Sequence, residues 1–334
     1  MRNIVLSLTL AAALVTSTQS FAAGPILIKF SHVLSPDTPK GKGADRFKEL
    51  AEKYTEGKVK VEVYPNSQLY KDKEETEALQ LGAVQMLAPA LSKFGPLGIK
   101  EFEAYDLPYL FADRTALRKV TEGPIGKAML SKLEAKGIIG LGYWDNGFKQ
   151  LTANQPLEKP EDLLGKKMRI PSSKVLGAQM TALGASPQVM AYSEVYQGLQ
   201  TGVVDGTENT ASNILTGKTH EVQKFLTVTN HGYLGYALIV NKQFWESIPA
   251  ELRPALDKAI AEATAYANDI AENENEKALE SIRASGKTKI IVPTEGQHKA
   301  WVAALKPVHD EMAGRIGKDL LESIYTATGS AMKK

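Results

Sequence analysis

The chain has no cysteine at all, which excludes disulfides, thiolate metal sites and cysteine nucleophiles together. Long apolar runs are also missing. The stretch 4–15 is too short for a membrane-spanning helix, which needs about 20 apolar residues, and no later stretch reaches that length without charges. Net charge is nearly absent, with 40 Lys and Arg against 38 Asp and Glu. No global field therefore draws the chain to nucleic acid or to an anionic lipid surface. Catalytic signatures are lacking as well. Gly41-Lys42-Gly43 begins like a dinucleotide-binding turn, but Arg46 stands where a third glycine is required. There is no P-loop, no nucleophile elbow and no H-E-x-x-H. The five histidines, at 32, 220, 231, 298 and 309, form no i, i+4 pair for a metal. No pair of carboxylates stands out as catalytic, and nothing calls for a cofactor.

The N-terminus carries what the rest lacks. Arg2, the short apolar run, a polar stretch and Phe21-Ala22-Ala23-Gly24 have the form of a secretory signal peptide over 1–23, cleaved after Ala22 or Ala23. An exported chain without disulfides must rely on a large core. About 310 mature residues can supply one, divided between two domains.

Hydrophobic periodicity predicts a strand over 26–33, a helix over 39–54, a strand over 59–63, a helix over 72–82 and an apolar strand over 84–88. That rhythm implies parallel strands with crossover helices. A helix near 115–136 and a strand over 138–144 follow. A second set comprises a strand over 167–170, helices over 174–184 and 192–201, a strand over 203–205, and extended segments near 225–230 and 236–241. The chain builds one α/β domain, crosses to a second and returns. From 250 to about 282 a 3.6-residue apolar period predicts one helix roughly 50 Å long, fit to brace two lobes, with more helical packing over 295–324.

Met168 and Ile170 flank Arg169 as the buried positions of a strand would, and Pro171 stops the run. Arg169 thus points to the other face at a strand end. In open α/β sheets that end borders the ligand crevice, and a guanidinium offers a rigid fork that matches a carboxylate. An ion pair at a domain edge fits the same spacing. Asn209 closes an apolar run at 203–204 followed by a polar turn; it suits either a ligand carboxylate or the cap of a helix starting near Thr210. Glu208 beside it requires a cation, for which Lys149 is a candidate.

These stretches also carry a resemblance. Phe30-Ser31-His32-Val33, Tyr64-Pro65-Asn66-Ser67-Gln68-Leu69, Asp106-Leu107-Pro108-Tyr109-Leu110-Phe111, Lys167-Met168-Arg169-Ile170-Pro171, Tyr192-Ser193-Glu194-Val195-Tyr196 and Val204-Asp205-Gly206-Thr207-Glu208-Asn209 occur in order. The mature chain resembles the extracytoplasmic solute receptors of tripartite ATP-independent periplasmic (TRAP) transporters, in the branch that binds C4-dicarboxylates. The resemblance implies a two-lobed periplasmic-binding-protein fold, with two α/β domains around a ligand cleft and one long bracing helix. Lobe one would take 24–146 plus 235–274, and lobe two 147–234 plus 275–334.

It further implies that Arg169 holds a ligand carboxylate, joined by Asn209, with Tyr192 packing on the ligand and Ser172 as a polar contact. Lys149 stands where sialic-acid receptors of the family carry a second arginine, and a point charge replaces the fork there. Glu208 and His231 match a polar pair that such receptors set beside this cation, behind the ligand. Lys71, Lys93 and His32 are candidates for the far carboxylate, because a dianion leaving water needs a second cationic region. The implied activity is capture of a small organic diacid in the periplasm and delivery to TRAP permease subunits, with neither nucleic acid nor membrane insertion of the mature chain. A receptor for another organic acid, a secreted α/β enzyme and a sensor subunit are the alternatives.

Overall fold

Val59, Val61 and Val63 alternate with charged residues, and the strand they form turns the valines inward while Lys60 stays exposed. The structure, a computed structural model, describes residues 24–332; the expected signal peptide lies outside them. Among the described residues no helix is long and apolar enough to cross a membrane. Among the described residues eleven strands form two sheets. The first holds β1 (Ile26–Ser31), β2 (Val59–Tyr64), β3 (Met86–Leu87), β4 (Ile138–Phe148) and β10 (Tyr233–Asn241) in the order β2-β1-β3-β10-β4. The second holds β5 (Gln150–Ala153), β6 (Lys167–Ile170), β7 (Ser186–Val189), β8 (Gly206–Asn209), β9 (Phe225–Thr227) and β11 (Lys289–Ile291) in the order β11-β9-β5-β8-β6-β7.

β1 runs parallel to β2 and β3, as the βαβαβ rhythm implies, but β10 lies antiparallel to both β3 and β4 and makes the sheet mixed. Two short segments link strands of the two sheets, and the helix Arg253–Ser285 makes a third crossing on the way from β10 to β11. β4 ends at Phe148 and β5 begins at Gln150, so Lys149 alone links them; residues 228–232 return from β9 to β10. The Lys149 N–H donates to the Gly232 carbonyl at 2.8 Å, tying the two crossings together.

The helix Pro39–Tyr54 starts where Thr38 accepts from the Gly41 N–H at 3.1 Å, with Pro39 in the first turn. The helix Arg253–Ser285 is 33 residues long, about 50 Å. Its buried stripe of Leu256, Ile260, Ala263, Ala267 and Ala271 lies against Pro39–Tyr54 and β4, and its later turns meet the helix Ala211–Thr216. Small residues set the approach. A Cβ on Gly43 would lie 2.9 Å from that of Ala267, so glycine here serves helix packing, not phosphate binding.

One core fills lobe one around Phe30, Phe47, Val61, Trp144 and Leu238. Another joins Phe102, Leu117 and Leu133 to Met168, Ile170, Leu176 and the C-terminal Trp301, Leu305 and Ile324. The segment Lys100–Asp106 therefore packs on helices of both halves.

Two expectations fail locally. The helix expected near 115–136 is broken into Arg114–Thr121, Pro124–Ser131 and a tight turn Lys132–Lys136, because Pro124 lacks the N–H needed to continue and restarts a helix instead. The strand expected at 203–205 is instead β8, Gly206–Asn209. Val203 is 57 % exposed, and Asp205 turns its carboxylate onto the Lys167 N–H at 2.7 Å.

Candidate functional site

β6 delivers Arg169 between buried Met168 and Ile170, and the arginine is itself only 4 % exposed. Its Nε and Nη2 donate to the Met190 carbonyl at 3.1 and 2.8 Å. Among the described residues it has no ion-pair partner within 4 Å. Burial lowers its pKa from the ordinary value, against the pull of Asp72 and Glu208. A guanidinium so placed is aligned by one neutral carbonyl and lacks the carboxylate that its charge calls for. Of the two readings of its strand position, the structure excludes the ion pair.

Arg169 lines a cavity between the sheets in which the centres of water-sized molecules range over about 60 Å³. Lys149, Asn209, Tyr192, Lys93 and Glu208 line it too. Asn209 ends β8, and its Oδ1 accepts from the Thr210 N–H and from Asn213 Nδ2, both at 2.9 Å. Its oxygen is thus used internally, and the amide N–H₂ is the end left for a ligand. The helix Ala211–Thr216 has Thr210 at its N-cap, so Asn209 is not the capping residue. Partly buried Tyr192 donates its hydroxyl to the Asn213 carbonyl at 3.2 Å.

Lys149 Nζ lies 2.6 Å from Glu208 Oε2, and both are buried. His231 Nε2 meets the same oxygen at 3.2 Å, while its Nδ1 is 2.8 Å from the Thr229 hydroxyl. Burial would push the Glu208 carboxyl up; the Lys149 charge and the His231 hydrogen bond reverse this and hold it at about 2. Burial lowers the His231 pKa despite Glu208, so the neutral ring donates from Nε2. The triad locks β8 to both crossings between the sheets. Lys149 is thereby already neutralised, and Arg169 is the stronger attraction for an anion.

On the opposite wall Lys93 Nζ is 2.8 Å from Asp72 Oδ2, in a buried pair. Three expected residues are not brought to the cavity wall. Lys71 is half exposed and pairs with Glu194 at 2.9 Å. Ser172 is absent from the wall, which Pro171 lines, and its neighbour Ser173 caps the helix Lys174–Ala182 and donates to Asp106 at 2.7 Å. His32 is fully buried beside Phe30, with no hydrogen-bond partner for either ring nitrogen.

Sequence reasoning overlooked Lys40, Glu75, Asp106, Asn213 and Tyr236, which complete the wall. Lys40 Nζ donates to the Ala88 carbonyl at 3.0 Å and sits 4.1 Å from the centre of the Tyr236 ring, a cation–π arrangement. Burial lowers its pKa to about 8. A signal was present: a lysine in the first turn of a helix opposes the helix dipole. Burial likewise raises Asp106 to about 6, with Lys149 acting the other way. Four cations and four carboxylates thus surround one small space.

The model of the DctP family, bacterial extracellular solute-binding protein family 7, matches residues 30–315. The C4-dicarboxylate-binding periplasmic protein DctP of Rhodobacter capsulatus is 66 % identical over 306 residues, 92 % of each chain. A TRAP periplasmic solute binding protein from Shewanella oneidensis, solved with bound succinate, is 42 % identical with a TM-score of 0.89, over 91 % of this chain and 100 % of that one. Another from Pseudomonas aeruginosa, with bound L-malate, is 46 % identical with a TM-score of 0.84, over 86 % and 100 %. The chain belongs to the DctP family of bacterial extracellular solute-binding proteins.

Proposed function

We propose that this protein is the periplasmic receptor of a TRAP transporter, capturing C4-dicarboxylates such as succinate, malate and fumarate and handing them to membrane permease subunits. The observation that carries this reading is Arg169, a buried guanidinium without an ion-pair partner among the described residues, on one wall of a cavity whose other wall presents Lys40 beside the Lys93–Asp72 pair. Cations at both ends suit a ligand with a carboxylate at both ends. The ligands of the two solved relatives and the name of the Rhodobacter protein support the same class.

One carboxylate docks on the Arg169 fork and the Asn209 amide, with Tyr192 against the carbon chain. The other recruits Lys40 and Lys93 from lobe one. Hinge motion about residue 149 and residues 228–232 then closes the lobes, removes water and strengthens each charge-assisted bond. The site binds and releases; its charged groups are arranged to compensate a dianion, not to activate a nucleophile.

Isothermal titration of ligand-stripped protein with succinate, malate and fumarate tests the proposal, with pyruvate and a sugar acid as controls. Micromolar binding, about −8 kcal/mol, is expected for the diacids. Arg169→Ala should weaken it by on the order of 100-fold or more while the circular dichroism spectrum is kept. Equal binding by Arg169→Ala would remove the assigned docking point.

A further inference from the structure

The carboxylates of the cavity are not equivalent. Asp72 pairs with Lys93 at 2.8 Å, and Glu208 with Lys149 at 2.6 Å. Asp106 accepts from the Ser173 hydroxyl at 2.7 Å. Glu75, at the start of the helix Glu75–Gln80, lines the same space and is 1 % exposed. Among the described residues its carboxyl has neither an ion pair within 4 Å nor a side-chain hydrogen bond. Lys40 attracts it from the helix Pro39–Tyr54, yet Lys40 Nζ donates to the Ala88 carbonyl instead. The other charged or titratable groups facing it are Lys93 and Asp72 on neighbouring turns and Tyr236 on β10.

A dianion entering beside an ionised, unpaired carboxylate would meet a further negative charge that no cation compensates, at low dielectric. Protonation turns the same group into an O–H donor.

We propose that Glu75 is a specificity-determining ligand contact that works as a neutral acid, so that each dicarboxylate is captured together with one proton. The proton comes from solvent and resides on Glu75 Oε, which donates to an oxygen of the distal carboxylate. No covalent bond changes, and the net charge brought into the cavity is −1 instead of −2. This inference rests on the dicarboxylate reading above. Burial, opposed by Lys40 and Lys93, sets the Glu75 carboxyl at about 7 before ligand arrives, so the proton is bound near neutral pH.

Succinate titrations at about pH 6.5 and pH 8.5, each in two buffers of different ionisation enthalpy, measure the proton count directly. The wild-type protein should take up close to one proton per succinate at pH 8.5 and much less at pH 6.5. Its affinity should weaken on the order of 20-fold across that interval. Glu75→Gln, which keeps the shape and removes the charge, should bind with an affinity nearly independent of pH and with little uptake. Lys40 is the rival proton acceptor, since burial lowers it to about 8. Lys40→Arg, which stays charged, should therefore retain the uptake. Uptake that persists in Glu75→Gln places the proton on Lys40 or on Asp106, and uptake that vanishes in a Lys40→Arg variant that still binds succinate places it on Lys40; either result overturns the assignment. PH-independent wild-type binding overturns it as well. Failure of the wild type to bind succinate even at pH 6.5 would instead overturn the dicarboxylate reading, and this inference with it.

Discussion

Glu208 accepts from Lys149 and His231 on the same oxygen, and every member of that group is buried. Removing one charge from such a group leaves its partner unpaired in low dielectric, a loss of about 3–5 kcal/mol. Glu208→Gln is therefore expected to lower urea stability by roughly 3 kcal/mol, and adding Lys149→Met to recover part of it. No recovery in the double variant would mean that the pair is not coupled. Part of this site was readable at the residue scale. Glu208 demanded a cation, and Lys149 stood 59 positions earlier as a candidate. Glu75 was not readable, and Lys40 only as a lysine that opposes its helix dipole, because a charged residue in an amphipathic helix is ordinarily solvated. Only the packing of the helix Glu75–Gln80 against β3 and β10, and of the helix Pro39–Tyr54 against β2, β4 and Arg253–Ser285, makes them interior.

Elements meet across the cleft mouth at Lys71 and Glu194, 2.9 Å apart and both half exposed. The Tyr192 N–H also points at Asp72 Oδ1, 3.4 Å away. The exposed pair links the turn after β2 to the segment before the helix Val195–Gln200, and solvent screens it strongly. Lys71→Glu should speed succinate release by roughly twofold to fivefold, with Glu194→Lys in the same chain restoring it. Stopped-flow at low and high salt checks this, since salt should erase the difference. A release rate unchanged by Lys71→Glu at low salt would dismiss the latch. Elsewhere Gly43 fixes how closely two helices cross. Gly43→Val should cost about 1–3 kcal/mol in a thermal or urea melt, because the added carbons run into Ala267 and the Trp144 ring. The helix periods themselves were legible, down to both ends of Pro39–Tyr54. The shift to Gly206–Asn209 was not, as register depends on the partner: Met168 pairs with Gly206 and Arg169 with Thr207.

Across the whole molecule, stability should depend on acid through buried histidines. Burial, assisted by Lys40, lowers His32 to about 3, and burial lowers His231 and His309 as well. A histidine whose folded pKa is depressed binds its proton more readily unfolded, so its contribution is full above about 6.5 and lost as pH falls below that. For His32 the span down to about 3 amounts to on the order of 4 kcal/mol. Glu208, held at about 2, adds a second loss below the ordinary carboxylate range. Thermal melts should show Tm falling steadily from pH 7 to pH 4.5, and less steeply in His32→Phe, which removes both unpartnered ring nitrogens. An equal slope in that variant would show that His32 does not carry the effect.

By itself the sequence determined the class of the molecule. Its α/β rhythm, its long alanine-rich helix and its ordered motifs depend on local periods and on residue types, which are legible without partners. That Arg169 occupies a special strand end was also visible, since an apolar–cation–apolar run closed by proline allows few other readings. Only the tertiary structure decided which charges are spent and which are free. Lys93, Lys149 and Lys71 are each paired with a carboxylate from a distant segment, while Arg169 and Glu75 are not. Pairing within 4 Å is a property of two segments brought together, and the energy of a buried charge depends on that partner more than on its own identity.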